Sequence, residues 1–394
     1  MLKKLFLFNF IVFFILFYTL LYFFGEQYHE IIVYFFSFVP FLILSWTLSY
    51  FCHDLFVNFK VKGQGKAVLI TGCSSGFGLK LALRLDRLGE IILINFLLFF
   101  YYFLYLFLKG FTVFACVRNI ECDGAKILQN ECSSNLKICK VDVTSKEQVD
   151  EVINIISQSG LPLFALVNNA GMASGLPIDW GEDIQQYQDI FEVNLFGLVR
   201  VTKSSLPLLR QSRGRIINVA SFASRITMPF MSAYSMSKHA QRSFTNALRI
   251  ELRCDRIKVI GIEPFFYETP ILDTTKIRNQ QMKYFEKTPA IIQNYYDDAK
   301  LKHVYNSDQI TQMFTRQNVE EVIDVMERAV TLSHPKLFYR CCGYFDLLFW
   351  IGSILPEMIT DMFLLFIGYN PKTIKLSQKV CKLLGKPVHP IFTA

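Results

Sequence analysis

The apolar run Ala67-Val68-Leu69-Ile70 leads straight into Thr71-Gly72-Cys73-Ser74-Ser75-Gly76-Phe77-Gly78, and a helical pattern follows. A buried strand, a glycine-rich turn and a helix in that order commit a chain to a parallel sheet with helical crossovers. In such a turn Gly72 permits the tight reversal. Gly76 lets the backbone approach an anion, and Gly78 lets the helix pack close to the strand. Backbone N–H groups and the helix N-terminus then cradle a phosphate. The spacing is G-x-x-x-G-x-G. The helix reads from Gly78 to Leu88 and stops at Gly89, a favourable C-cap residue. Strand and helix patterns alternate as far as Val259-Ile260-Gly261-Ile262, which predicts a doubly wound α/β sheet.

A second constellation lies far downstream. Tyr234-Ser235-Met236-Ser237-Lys238 sets a tyrosine and a lysine one helical turn apart on one face. A phenol with an ordinary pKa of about 10 is a poor base at neutral pH. An ammonium beside it brings that value down, and an oxidised nicotinamide would add a second positive charge. Such a pair can move a hydroxyl proton while hydride leaves the carbon. Ser221 lies thirteen residues before Tyr234, closing the strand pattern Arg215 to Ala220. Asn168-Asn169-Ala170-Gly171 closes another.

The remainder of the chain is unusually apolar. Its 394 residues are 52% hydrophobic with a mean hydropathy of +0.31, and the excess sits in blocks. Leu5–Phe24 and Ile31–Phe51 each have membrane-spanning length. The linker Gly25–Glu30 is acidic, whereas Lys3, Lys4, Lys60, Lys62 and Lys66 flank the pair. The positive-inside rule therefore predicts a hairpin anchor over residues 1–60 with both flanks cytosolic. Residues 61–340 form the catalytic domain, and residues 341–394 carry a further apolar segment, Leu347–Ile367, and a basic tail. Leu347–Ile367 reads equally as a membrane-lying helix, a third anchor or a buried helix.

One block interrupts the domain. Glu90 to Gly110 is apolar, yet a βα unit needs a connection of only about two to six residues there. A single membrane crossing would put the first two strands of one sheet on opposite sides of a bilayer. What remains is a membrane-contacting hairpin or a translated intron. The ten cysteines show no metal-ligand spacing with histidine, and no N-x-S/T sequon occurs. No metal site is expected. The net charge of +8 suits an anionic membrane surface, and no nucleic-acid module is present.

Taken together, TGCSSGFG, VNNAG, EVNLFG, Ser221 and YSMSK resemble the short-chain dehydrogenases/reductases over roughly Lys66 to Phe366. The resemblance implies a Rossmann-type doubly wound sheet and an NAD(P)-dependent oxidoreductase. It makes Tyr234 the general acid/base, Lys238 its electrostatic partner and ribose ligand, and Ser221 the group that bonds the substrate oxygen. Asn194 positions a water that links Lys238 to solvent. Cofactor contacts fall to Gly72, Ser74, Ser75, Gly76, Phe77, Gly78, Asp142, Asn169, Ala170, Gly171 and Thr269, besides Tyr234 and Lys238. One departure is Phe265, where the family carries glycine. The second strand ends without a carboxylate and runs into Arg118, which favours NADP over NAD, with Ser75 adding a hydroxyl.

GFTVFA, Trp180, LPLLRQSRGRIINVAS and the stretch from His334 to Phe363 resemble membrane-bound retinol and hydroxysteroid dehydrogenases. That implies a lipophilic substrate, a steroid or retinoid, and an endoplasmic reticulum membrane with the catalytic domain facing the cytosol. A homodimer stays open. So does a second class, a catalytically impaired membrane scaffold in which Phe265 and the insert block cofactor entry. The four intact positions Asn194, Ser221, Tyr234 and Lys238 argue against it.

Overall fold

The structure, a computed structural model, describes residues 59–88, 110–298 and 314–341, with shorter pieces within 11–19, 41–49, 300–304 and 355–362. Most of the expected anchor, the insert up to residue 109, and most of the C-terminal segment and tail lie outside the described residues. Among the described residues no helix is long and apolar enough to cross a membrane.

The chain divides into two compact units. The smaller comprises Met1–Val61 and Thr331–Pro335. There Lys60 bridges antiparallel to Leu332, framed by Val61 N–H to the Thr331 carbonyl (2.7 Å) and Ser333 N–H to the Phe59 carbonyl (2.8 Å).

The larger unit holds a parallel seven-stranded sheet: β1 Ala67–Ile70, β2 Thr112–Val117, β3 Leu136–Lys140, β4 Leu163–Asn168, β5 Arg215–Val219, β6 Lys258–Pro264 and β7 Phe338–Cys341. Its spatial order is β3-β2-β1-β4-β5-β6-β7. Crossover helices are α1 Gly76–Arg87, α2 Asp123–Glu131, α3 Lys146–Gln158, α4 Gln185–Phe191, α5 Leu198–Ser212 and α6 Ser232–Glu251. After β6 come α7 Thr274–Glu286, a short α8 Ala290–Gln293 and α9 Glu320–Thr331.

Parallel strands are covered on both faces, so alternate side chains enter two separate cores. Val68, Ile70, Val113, Ala115 and Val117 meet Leu81 and Leu85 of α1, Leu128 of α2 and Ile323 and Met326 of α9. Ala67, Leu69, Phe114 and Cys116 point the other way, into Val149 and Ile156 of α3, Val201 and Leu209 of α5 and Leu248 of α6. Outward on α1, Lys80 and Arg84 pair with Glu320, and Arg84 also with Asp324, tying α1 to α9 along their solvent edge.

The β2 strand runs to Val117, because Cys116 and Val117 pair with Cys139 and Lys140 of β3. Arg118 therefore follows the last β2 residue directly. Helix α1 begins at Gly76 rather than Gly78, so all of Gly76-Phe77-Gly78 belongs to its first turn. The strand order reverses between β1 and β4, and at such a switch point a crevice opens outside the carboxyl ends of the strands.

The ends of the interrupting block are informative. A Cβ placed on Gly110 would lie 2.6 Å from the Asp86 carbonyl oxygen and 2.8 Å from that of Leu85. The chain thus re-enters the domain against the last turn of α1, close to where it left. We expect that deleting Glu90 to Gly110, with Gly89 taking the tight place of Gly110, yields a protein that folds and binds NADPH at least as well as the full chain. Thermal melting and fluorescence titration check this, and loss of the folding transition would make the block an integral part of the fold.

Candidate active site

The crevice has a volume of about 340 Å³. Its floor is the glycine-rich turn. Gly72 has φ +72° and Gly76 φ +58°, a left-handed geometry that glycine adopts without strain. Ser75 precedes α1 in extended conformation and makes no side-chain capping bond, so the N–H groups of the first turn are left for an anion.

The turn is stapled to the loop after β4. Thr71 Oγ1 accepts N–H bonds from Asn169 and Ala170, both at 3.0 Å. In return Asn169 Nδ2 donates to the carbonyls of Thr71 (3.0 Å) and Gly72 (3.1 Å). The approach is as close as glycine permits. A Cβ on Gly72 would fall 2.8 Å from the Ala170 Cα, and one on Gly78 2.4 Å from the Gly72 carbonyl oxygen. Gly124, in the first turn of α2, is equally constrained, since a Cβ there would sit 2.2 Å from the Ser74 carbonyl oxygen.

Across the crevice stand the titratable groups. Ser221 follows β5, and Tyr234 lies in the first turn of α6. Burial raises the Tyr234 phenol above its ordinary value, and a hydrogen bond with Ser221 pulls it back. Lys238 is 4% exposed. Its Nζ lies 5.6 Å from the Tyr234 ring centroid and donates to the Val219 carbonyl at 3.2 Å. Burial brings Lys238 down to about 7, well below the ordinary range of an ammonium.

Asn194 sits in a π-helical turn, Glu192–Gly197, between α4 and α5. Such turns displace one residue from the regular ladder and concentrate at functional sites. The Asn194 side chain clamps Met172 of the β4 loop from both sides, accepting its N–H (2.8 Å) and donating to its carbonyl (2.9 Å). It also donates to Ser237 Oγ at 3.0 Å.

Of the residues singled out from sequence, Gly72, Ser74, Ser75, Gly76, Phe77, Arg118, Asp142, Asn169, Ala170, Gly171, Ser221, Tyr234, Lys238 and Thr269 line one crevice. Gly78 and Asn194 do not; they lie behind it, the first against the turn and the second fully buried. Asp142 Oδ1 is engaged by Thr144, accepting from its N–H (2.9 Å) and hydroxyl (2.8 Å). Phe265 lines the wall, but its ring packs on Phe222 (4.9 Å between centroids) and Phe266 (4.8 Å). Two residues that shape the site escaped the sequence reading. Gly124 had only the Asp123-Gly124 pair as a signal. Gln241 had a clearer one, a polar side chain at the next turn of the Tyr234–Lys238 face.

A floor of glycines, N–H groups at a helix N-terminus and a Ser–Tyr–Lys set opposite fit a dinucleotide and a small carbonyl or hydroxyl group. Comparison with known proteins agrees. A family model described as short chain dehydrogenase matches residues 103–280. Retinol dehydrogenase 16 of Mus musculus is 31% identical over 78% of this chain and 90% of its own length. Estradiol 17-beta-dehydrogenase 2 of Rattus norvegicus is 34% identical over 78% of this chain and 76% of its own.

The chain belongs to the short-chain dehydrogenase/reductase family. Membership makes it an alcohol dehydrogenase or ketone reductase that acts on a CH–OH group and its carbonyl counterpart with NAD(P). Solved members share the fold. A short-chain dehydrogenase from Streptomyces avermitilis superposes with a TM-score of 0.57 at 21% identity, covering 76% of this chain and 96% of its own. One from Burkholderia cenocepacia, in complex with NADP, gives 0.53 at 20% identity, covering 77% and 99%. The family match starts at residue 103, inside the interrupting block, so the glycine-rich turn lies outside it. The turn's place in this short-chain dehydrogenase rests on its geometry. We expect Gly78→Ala to destabilise the domain by about 1–3 kcal/mol, since the added methyl meets backbone that cannot yield. NADPH affinity should fall with it, read by thermal melting and fluorescence titration; an unchanged melting temperature and affinity would show that the turn has slack.

Proposed function

We propose that this enzyme interconverts a secondary or primary alcohol and its carbonyl on a lipophilic substrate, a steroid or retinoid, with NADP favoured as cofactor. The observation that carries the reading is the meeting of Ser221, Tyr234 and Lys238 on the wall opposite the glycine-rich turn. Bound here, the oxidised nicotinamide would supply the hydride acceptor.

The chain's own groups supply the rest. Ser221, bonded to Tyr234, orients the substrate oxygen. Tyr234 takes the hydroxyl proton in oxidation and returns it in reduction. The ammonium of Lys238 favours the phenolate, and Lys238 holds the nicotinamide ribose. Asn194 fixes the loop that carries Gly171, whose Cβ position would lie 3.7 Å from Lys238 Nζ. Gly72, Ser74, Ser75, Gly76 and Phe77 hold the pyrophosphate, Gly78 packs beneath them, and Asp142 and Asn169–Gly171 line the adenosine side. Thr269 closes the nicotinamide end, across from Gly76.

The rest of the crevice supports an apolar substrate. Met172, Ala173, Phe222, Met231, Phe265, Phe266, Ile271 and Leu272 provide its walls. Elsewhere in the domain Trp180, from the segment after β4, packs tilted on Phe285 (4.8 Å) and edge-on against Tyr296 (5.5 Å), both from the segment after β6. Retinol dehydrogenase 16 and estradiol 17-beta-dehydrogenase 2, named above, point to the same class. We place the enzyme on an endoplasmic reticulum membrane through residues 1–60, catalytic domain to the cytosol, from the hydropathy and lysine pattern. Phe265 gives no support to an impaired scaffold, since its bulk is taken up by Phe222 and Phe266.

With retinol and estradiol as test substrates, Tyr234→Phe should lower turnover about a hundredfold or more while NADPH affinity stays near wild type. Lys238→Ala should damage both. Retention of more than about a tenth of the rate by Tyr234→Phe would overturn the acid/base assignment.

Cofactor preference rests on Arg118, exposed at the mouth of the crevice directly after β2. Arg118→Ala should weaken NADPH at least tenfold, about 1.4 kcal/mol, and NADH little, because only the former loses a charge-assisted phosphate contact. Equal losses would make Arg118 an ordinary loop cation.

A further inference from the structure

Gln241 lies one turn after Lys238 on α6 and is fully buried. Its Oε1 accepts a hydrogen bond from Lys238 Nζ at 3.0 Å. Its Nε2 donates to the main-chain carbonyl of Asn194 at 2.6 Å. Neither partner can exchange roles, since an ammonium only donates and a carbonyl only accepts. The orientation of the amide is therefore fixed by chemistry, not by choice of assignment.

No other side chain of this size meets both demands. Leucine would leave a buried ammonium and a buried carbonyl short of a partner. Glutamate would satisfy Lys238 but turn an acceptor toward the Asn194 carbonyl. Asparagine is a methylene too short for the span. The carbonyl is available for this bond because Asn194 sits in the π-helical turn. The bridge crosses the place where the family resemblance sets a water on Asn194.

We infer that Gln241 is a positioning residue of the active site: its amide holds the Lys238 ammonium against the π-turn carbonyl of Asn194, keeping it charged and beside Tyr234. The groups facing Lys238 are few. From α6 come Tyr234 and Gln241, from β5 the Val219 carbonyl, and from the β4 loop Gly171. No charged neighbour among the described residues contributes to the depression of Lys238 toward 7; burial alone does. The neutral acceptor Oε1 is therefore a main support of the charged form. The inference rests on the acid/base reading for its consequence in turnover, but not for its effect on the ionisation of Lys238.

The test is a titration of the full chain labelled with [ε-¹³C]lysine, the Lys238 signal being assigned by its loss in Lys238→Arg. Wild type should titrate with a midpoint near 7. Gln241→Leu should lower the midpoint by about one unit or more, because the charged form loses an acceptor. Gln241→Glu should raise it by about as much, because a carboxylate favours the ammonium. A role confined to packing would change melting temperature in both variants and leave the midpoint in place. Coincident midpoints, or shifts of the same sign, would overturn the inference. Should Gln241→Leu fail to fold, Gln241→Glu decides alone: a raised midpoint supports the bridge and an unchanged one overturns it. Survival of activity in Tyr234→Phe would overturn the catalytic reading and leave this titration result standing.

Discussion

Everything at this site depends on how closely two loops approach. The turn after β1 and the loop after β4 touch backbone to backbone, with no room for a side chain at Gly72 or Gly78. Four hydrogen bonds between Thr71, Gly72 and Asn169-Ala170 hold them there. This contact closes the switch point of the sheet on one side and turns the N-terminus of α1 toward the crevice. It also sets where the β4 loop runs next, past Gly171 and Met172 to Asn194. The glycine-rich turn and the Ser221, Tyr234 and Lys238 set are thus registered to each other through one short stretch of backbone.

From that register follows the second constraint, a lysine in a buried place. Removing an ammonium from water is costly, and the depression of Lys238 to about 7 is the mark of that cost. Among the described residues the acceptors that offset it are neutral, the Val219 carbonyl and Gln241. A carboxylate would hold the charge more firmly, but it would also cancel the field at Tyr234. Amide and carbonyl partners leave the net positive charge intact while occupying two of the three donors. The π-turn belongs to the same arrangement, since it presents the Asn194 carbonyl that orients the amide.

Much of this was legible in the sequence, for identifiable reasons. Parallel strands buried on both faces leave continuous apolar runs, and β1 and most of β4 read that way. The glycine-rich turn announces itself because no other residue tolerates its backbone. Tyr234 and Lys238 are visible because four residues make one helical turn. Their surroundings were not. Gly124 crowds Ser74 only because α2 docks there, and no local pattern reports that docking. Gln241 bonds Asn194 across forty-seven positions, a pairing only the fold creates. Gly78 and Asn194, also singled out from the sequence, stand behind the crevice lining, the first against the turn and the second fully buried.

The replacement of glycine by Phe265 looks disruptive in one dimension and is absorbed in three. Its ring joins Phe222, Phe266 and Phe314 in an aromatic cluster, only 6% exposed. Tyr267 anchors the same strand exit, its one hydroxyl proton shared between two acceptors, Glu321 (2.9 Å) and the Cys341 carbonyl (3.0 Å). Tyr234 packs against this core, which includes Phe222, Phe265 and Phe266. An apolar wall of that kind lowers the local dielectric, and low dielectric raises a phenol and lowers an ammonium. Those are the directions found for Tyr234 and Lys238. The departure at position 265 and the perturbed Tyr234 and Lys238 are therefore two views of one environment. It shapes the crevice for an apolar substrate and makes the neutral bridge at Gln241 necessary.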